Sequence, residues 1–354
     1  MFDLIIIGAG PAGISAAYEA KKLDLNYLVL EKGLIGNTVY NYPVGLTVFS
    51  TTNELELDEG ALRPAREKPT REELLSYYVR FTLEHELNIH TEEEVRSVEK
   101  LGERHFKVVT TRGEYESRTV LFAIGAMDHP RHLGVPGEDL PKVHEMFRET
   151  YPWVKKQALI VGGGNSAGEA ALFLAEEGAD TTLAIFRDDW ENNDPKQGCI
   201  KYWVKQPLEK ELQNSCLKLF FLGKVLEIRE GEVLMESETG EEVVLPNDVV
   251  FVLIGSDAEL TMLKSLGVET SRGKYSEIPV YDPVTFETGV PGVYVAGHFT
   301  EARHIKEAIA VPKRILPGIA ASLGRKSVRR DEDLEDTLQM PLLNMRKKKT
   351  ETTN

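Results

Sequence analysis

Cysteine is scarce in this chain. Its 354 residues contain two, Cys199 and Cys216, seventeen positions apart. That spacing excludes a C-x-x-C redox pair, a zinc pattern and a disulfide framework. No apolar run reaches the ~20 residues of a membrane span, and the apolar N-terminus lacks the basic lead-in of a signal peptide. Positive charge is also short: 42 Lys and Arg stand against 57 Asp and Glu, leaving a net charge of −15. Such a balance disfavours nucleic acid or an anionic membrane as the partner. Histidines occur three apart in His129-Pro130-Arg131-His132, but Pro130 prevents helical display and no carboxylate pattern accompanies them, so no metal site is expected. The composition, 42% hydrophobic and 28% charged, fits a cytoplasmic globular protein with room for two cores.

The first thirty-one residues organise what is present. Asp3 to Ile7 reads as a buried strand, and Gly8-Ala9-Gly10-Pro11-Ala12-Gly13 is a G-x-G-x-x-G turn. Ile14 to Leu23 has helical apolar spacing, and Tyr27 to Leu30 is a second strand ending at Glu31, eighteen positions after Gly13. This is a complete dinucleotide-binding unit. Gly8 permits the tight turn, Gly10 lets the backbone approach a pyrophosphate, and Gly13 lets helix and strand pack closely. The helix N-terminus offers unpaired N–H groups and a positive dipole to phosphates. Glu31, with Lys32 beside it, would accept hydrogen bonds from ribose hydroxyls.

A second unit begins 154 residues later. Ala158 to Val161 reads as a strand, Gly162-Gly163-Gly164-Asn165-Ser166-Ala167 as a G-x-G-x-x-A turn, Ala170 to Glu177 as a helix and Thr181 to Phe186 as a strand. Two such units imply two nucleotides. At the ribose position this one carries Arg187 in place of an acid. A guanidinium there suits the 2′-phosphate of NADPH, whereas a carboxylate suits the free hydroxyls of FAD or NAD. Asp188 and Asp189 follow and compete for Arg187; the alternative is a solvated arginine.

Between and beyond the units the pattern is coarser. Lys32 to Thr52 reads as a loop, and Thr70 to Leu87 as an amphipathic helix with Leu74, Leu75, Tyr78, Phe81 and Leu83 on one face. Phe106 to Thr110 and Thr119 to Ile124 read as strands, and His129 to Pro141 as a linker. Strands are expected within Lys218 to Glu236, Glu241 to Pro246 and Asp248 to Gly255, with another strand–turn at Pro291 to Gly297 and a helix from Ile305 to Leu323. Residues 325–354 read as a charged, disordered tail.

Several segments tie this α/β, doubly Rossmann-like arrangement to a family. Val39-Tyr40-Asn41-Tyr42-Pro43 is similar to the V-x-N-[YW]-P segment that approaches the flavin in the thioredoxin-reductase fold of the pyridine-nucleotide–disulfide oxidoreductases. Ala123-Ile124-Gly125 resembles that fold's A-T-G, Gly292 to His298 its G-x-[YF]-A-A-G-D, and Lys306-Glu307-Ala308-Ile309 its R-Q-A-I. Within the superfamily, Tyr40 to Pro43 with Phe49-Ser50-Thr51, Asp139 to Val143, and Tyr281 to Thr288 resemble the bacillithiol-disulfide-reductase-like branch. The resemblance covers residues 1 to about 323 and implies one nucleotide domain in two parts, 1–126 and 256–324, interrupted by an inserted one, 127–255. It implies FAD on the first unit, with Asn41, Gly125, Gly297, His298, Glu307 and Ala308 near the cofactor, and NADPH on the inserted one. It further implies a homodimer and a rotation of the inserted domain, with hinges near His129 to Pro136 and Gly255 to Asp257.

The departures concern thiols. The stretch His144 to Gln157, where a thioredoxin reductase carries C-x-x-C, has no cysteine, and the branch's glycine-turn cysteine is matched by Ala12. Alanine cannot start thiolate attack. The family's ribityl-chain aspartate is replaced by His298.

Hydride transfer from NADPH to flavin N5 needs only alignment of two rings. The charge it leaves would be met by the helix N-terminus near Ile305 to Ala308, and by Lys306 if its ammonium points inward. His298 or His304 could relay a proton, or serve structurally. The expected function is therefore an NADPH-dependent FAD oxidoreductase that passes electrons directly to an external acceptor, a small redox protein or a small molecule such as a low-molecular-weight thiol disulfide. Competing readings are electron transfer as in ferredoxin– or flavodoxin–NADP reductases, flavin monooxygenation, and a non-catalytic nucleotide-bound redox sensor.

Overall fold

The computed structural model describes residues 1–194, 200–274, 276–302 and 304–325. Cys199 and the charged tail beyond Arg325 lie outside them.

The apolar run at the N-terminus forms the strand Phe2–Ile7, with Leu4, Ile5 and Ile6 fully buried. Continuous burial of this kind marks a parallel strand covered on both faces. It pairs in parallel with Tyr27–Leu30, Ile5 opposite Leu28, and with Glu114–Phe122, Ile6 opposite Leu121. The sheet order is Ile89–His90, Tyr27–Leu30, Phe2–Ile7, Glu114–Phe122, His105–Thr110, Val95–Gly102. Val293–Val295 returns from far along the chain and adds in parallel to the upper half of Glu114–Phe122. Pro11 opens the helix Pro11–Lys22, where a missing N–H costs nothing. That helix lies on Ile305–Ser322, and Ser15 Oγ donates to the Ile309 carbonyl at 2.8 Å.

The second sheet runs Glu242–Pro246, Glu232–Ser237, Leu217–Ile228, Asp180–Ile185, Gln157–Val161, Val249–Val252, Val143–His144. Its last five strands are parallel and its first two add an antiparallel meander. One apolar core joins residues 4–126 to residues 260–323, whereas two others are built entirely within 133–254.

The chain passes between the sheets twice, and the crossings pair: His129–Pro130 is antiparallel to Ser256–Asp257. Arg131 donates to both Asp257 oxygens at 3.0 and 2.7 Å. The stretch expected to be a linker is thus half of a short two-stranded link.

Other expectations shift locally. The helix expected over Thr70 to Leu87 is Arg71–Glu84, with Thr70 and Glu73 forming a capping box. Leu74, Tyr78 and Phe81 are buried on its inner face, but Leu83 is 69% exposed, because it lies two residues past Phe81 and so turns off the stripe. The Lys32 to Thr52 loop contains a helical turn, Asn37–Tyr40. Tyr202–Gln213, a helix absent from the sequence reading, carries Pro207 inside it and a narrow buried stripe of Val204, Lys205 and Leu208. None of the described helices is long and apolar enough to cross a membrane.

Candidate functional site

The two glycine turns are built alike. A Cβ on Gly8 would lie 2.5 Å from the Ala123 carbonyl oxygen, and one on Gly162 would lie 2.3 Å from that of Leu253. Both glycines have positive φ, +107° and +153°. In each unit the first glycine therefore lets the turn press against the neighbouring strand end. The third position packs helix on turn: a Cβ on Gly13 would meet the Gly8 oxygen at 1.9 Å. The second glycines behave oppositely. A Cβ on Gly10 or Gly164 would meet nothing within 4 Å, so the backbone there is open to a ligand. These are the features a dinucleotide pyrophosphate needs, twice over.

Both turns border one cavity of about 1360 Å³. Gly8, Gly10, Pro11 and Ala12 line it from the first unit, and Gly162, Gly163, Gly164, Asn165 and Ser166 from the second. Glu31, Lys32, Asn41, Gly125, Gly297, His298 and Ala308 also face it. Ala9 and Ala167 are buried beneath their turns, where Ala9 N–H donates to Glu31 at 2.7 Å. The other Glu31 oxygen accepts from Gly33 N–H, also at 2.7 Å. Burial pushes this carboxyl up from its ordinary range, against the pull of those two N–H groups. Lys32 pairs with Asp128 at 2.8 Å. Asn165 Oδ1 accepts from Lys201 N–H at 2.8 Å, which ties the second turn to the Tyr202–Gln213 helix.

Three of the expected site residues engage other partners in this structure. Lys306 does not line the cavity; it is 65% exposed and its ammonium sits 3.6 Å from Glu54. It follows the N-cap by two positions, on the outward side of the first turn, so it does not face the cavity as expected. Glu307 is likewise turned to the helix end, where its carboxylate accepts from His304 N–H at 3.4 Å. Arg187 is held by Glu238, with its Nε 2.7 Å from that carboxylate, and by Glu191 at 3.1 Å, while its guanidinium stacks on Phe221 at 3.8 Å. The acids that hold it are these two rather than the adjacent Asp188 and Asp189. Of its neighbours, Phe186 and Asp189 line the cavity, and a Cβ on Gly163 would strike the Asp189 carboxylate at 2.3 Å.

The cavity also holds Glu169, which the sequence reading passed over, and Tyr42, which it gave only as part of a family segment. Glu169 lines it from the second-unit helix and Tyr42 from the first-unit loop. Burial raises the Tyr42 phenol, and the Glu169 carboxylate raises it further. The signal for Glu169 was helical register: it falls three and four residues after Ser166 and Asn165, on the same face. Ala12 is 4% exposed and touches the space a Gly297 side chain would need, 3.2 Å from that Cβ. Cys216 is exposed and does not line the cavity.

A chain with two such units around one cavity belongs to the pyridine nucleotide-disulphide oxidoreductase family, whose pattern matches residues 5–297. It is an NADPH-dependent flavoprotein oxidoreductase with FAD as its flavin. It is 34% identical to the bacilliredoxin reductase Bdr of Bacillus subtilis over 323 residues, 91% of this chain and 97% of that one. A ferredoxin–NADP reductase of Ignicoccus hospitalis is 30% identical over 332 residues, 92% of this chain and 95% of that protein. Among solved structures, the bacillithiol disulfide reductase Bdr (YpdA) of Staphylococcus aureus superposes with a TM-score of 0.84 at 31% identity, covering 91% of this chain and 98% of that one. The thioredoxin reductase of T. acidophilum gives 0.72 at 24% identity, covering 91% and 99%, a likeness of fold.

Proposed function

We propose that FAD lies along the first glycine turn and NADPH along the second, and that electrons pass from the flavin straight to a small external acceptor with no protein thiol between them. A low-molecular-weight disulfide is the first acceptor to test. The observation that carries this reading is the shared cavity: both turns border it, and no cysteine lines it among the described residues.

The flavin, when bound, supplies the hydride acceptor and donor. The chain's own residues do the rest. The N-terminus of Pro11–Lys22 and the open backbone at Gly10 would bind the FAD pyrophosphate, and Glu31 would take the ribose. Gly164 and the N-terminus of Asn165–Glu176 would do the same for NADPH. The start of Ile305–Ser322, through Ala308 and the helix dipole, would stabilise negative charge on the pyrimidine side without help from Lys306. His298 borders the cavity from the neighbouring turn and supplies a polar contact.

The test is an anaerobic titration of the purified yellow protein with NADPH and separately with NADH, following flavin absorbance. Stoichiometric bleaching by NADPH is expected. Tight FAD that neither nucleotide bleaches would end the reductase reading and leave a nucleotide-bound sensor.

Electron transfer to an iron–sulfur protein is the second reading, supported by the full-length similarity to the Ignicoccus protein. Cytochrome c reduction that depends on added ferredoxin would favour it.

A further inference from the structure

Glu169 faces the cavity from the second-unit helix, one turn past Asn165. Among the described residues no hydrogen bond or ion pair engages its carboxyl, unlike Glu31, which is held by two backbone N–H groups. Tyr42, in the loop whose sequence resembles a flavin-approaching segment, lines the same cavity from the first unit. The Glu169 carboxylate adds to the rise of the Tyr42 phenol. Glu169 therefore borders the space that both nucleotide turns share.

Its surroundings favour the protonated carboxyl, so that a large share of it carries a proton near neutrality. Burial alone pushes it up to about 7. The strands Gln157–Val161, Asp180–Ile185 and Leu217–Ile228 and the helix Tyr202–Gln213 pack on its helix, and no charged group on them contributes to that shift. Lys205, the buried cation of that helix, is turned away to the Trp190 carbonyl and Asn193. Tyr42 is the titratable group that faces Glu169 from the other unit.

We infer that Glu169 is the proton donor of the oxidative half-reaction, so that the acceptor is a small molecule that must take a proton together with a hydride. This rests on the electron path proposed above. The bond balance is simple for a disulfide. One sulfur gains hydride and its electron pair, the S–S bond breaks, and the other sulfur leaves as a thiolate that takes the Glu169 proton. A bound reduced flavin would supply the hydride, and solvent would return a proton to the Glu169 carboxylate. A quinone takes hydride at one end and the proton at the other in the same balance. An iron–sulfur centre takes electrons alone and has no use for the group. A donor near 7 is matched to a thiolate whose ordinary value is about 8.5.

The test uses the holoenzyme and its Glu169→Gln and Glu169→Asp variants. Enzyme reduced by NADPH is mixed with menadione, which needs a proton, and with ferricyanide, which does not. In Glu169→Gln the ratio of the menadione to the ferricyanide rate should fall about 100-fold and lose its pH dependence, with partial recovery in Glu169→Asp. Independently of turnover, infrared difference spectra of the oxidised protein between pH 5 and 9 should show a protonated-carboxyl band that disappears near pH 7 and is missing from Glu169→Gln. An unchanged ratio with an unchanged pH profile overturns the inference, as does the same band in Glu169→Gln. Failure of NADPH to bleach the wild-type flavin would refute the electron path instead, and the infrared titration would still report on the carboxyl.

Discussion

Arg131 and Asp257 join the two chain crossings through a two-pronged ion pair, 2.7 and 3.0 Å, one partner just after His129–Pro130 and the other at the end of Ser256–Asp257. Each acid oxygen meets its own guanidinium nitrogen, so the pair resists twisting of the link about its axis. Both side chains are over two-fifths exposed, which limits the pair to under about 1 kcal/mol of stability. Arg131→Met should therefore leave the melting temperature within about 3 °C of wild type. It should instead raise the rate of flavin reduction by NADPH several-fold in stopped flow, by freeing rotation of the inserted domain. Equal rates in the two proteins would mean that the link is not the hinge.

The glycines of the first turn should separate folding from binding. Gly13→Ala drives a Cβ to 1.9 Å from the Gly8 oxygen, a backbone atom that cannot move freely, and should cost about 1–3 kcal/mol or more. Gly10→Ala meets nothing and should fold normally, yet lose most of its flavin because the methyl occupies the approach path. Melting curves and flavin absorbance per mole of protein distinguish the two outcomes.

Lys306→Met should change flavin reduction by less than about twofold, since an exposed ammonium paired with Glu54 at 3.6 Å is well screened. A tenfold loss would show that the side chain swings inward during turnover.

Arg187 must leave Glu238 to meet a 2′-phosphate. Glu238→Gln should lower the KM for NADPH several-fold and leave that for NADH unchanged. Arg187→Ala should raise the NADPH value about tenfold, the worth of one charge-assisted hydrogen bond. Steady-state kinetics with both nucleotides checks this, and equal effects on NADH would show that Arg187 does not read the phosphate.

Glu169 should also mark the stability profile. Its folded carboxyl is raised to about 7 from an ordinary 4.5. Between those values the unfolded chain has released its proton and the folded one retains it, so stability falls as pH rises through that window and levels off above it. The full span is up to about 3 kcal/mol. Glu169→Gln should flatten that slope and melt higher than wild type at pH 8, as thermal melts across the window would reveal. A parallel slope in both proteins would place the titration elsewhere.

Much of the site was readable because its determinants are local. A parallel strand, a glycine turn and a helix are neighbours in sequence; Gly8 and Gly13 answer to contacts within that unit or at the adjoining strand end, and Gly10 to the open space beside it. Asn41, Gly125, Gly297 and His298 were legible only through resemblance; they reach the cavity from three separate segments. Lys306 and Arg187 hold partners that the sequence does not reveal, for one reason. Long cationic side chains go where a carboxylate is, and their partners, Glu54 and Glu238, lie 252 and 51 positions away in the chain.

Local pattern alone specified two dinucleotide units and the absence of cysteine beside the first turn. Backbone conformation and close packing within about thirty residues are enough to specify such a unit. The assembled fold supplies the rest: both turns open on one cavity, Val293–Val295 completes the first sheet from beyond the second unit, and burial raises the Glu169 carboxyl in a space it shares with Tyr42. These depend on which distant surfaces exclude water from one another. Desolvation is a property of the assembled volume, and no local pattern of residues encodes it.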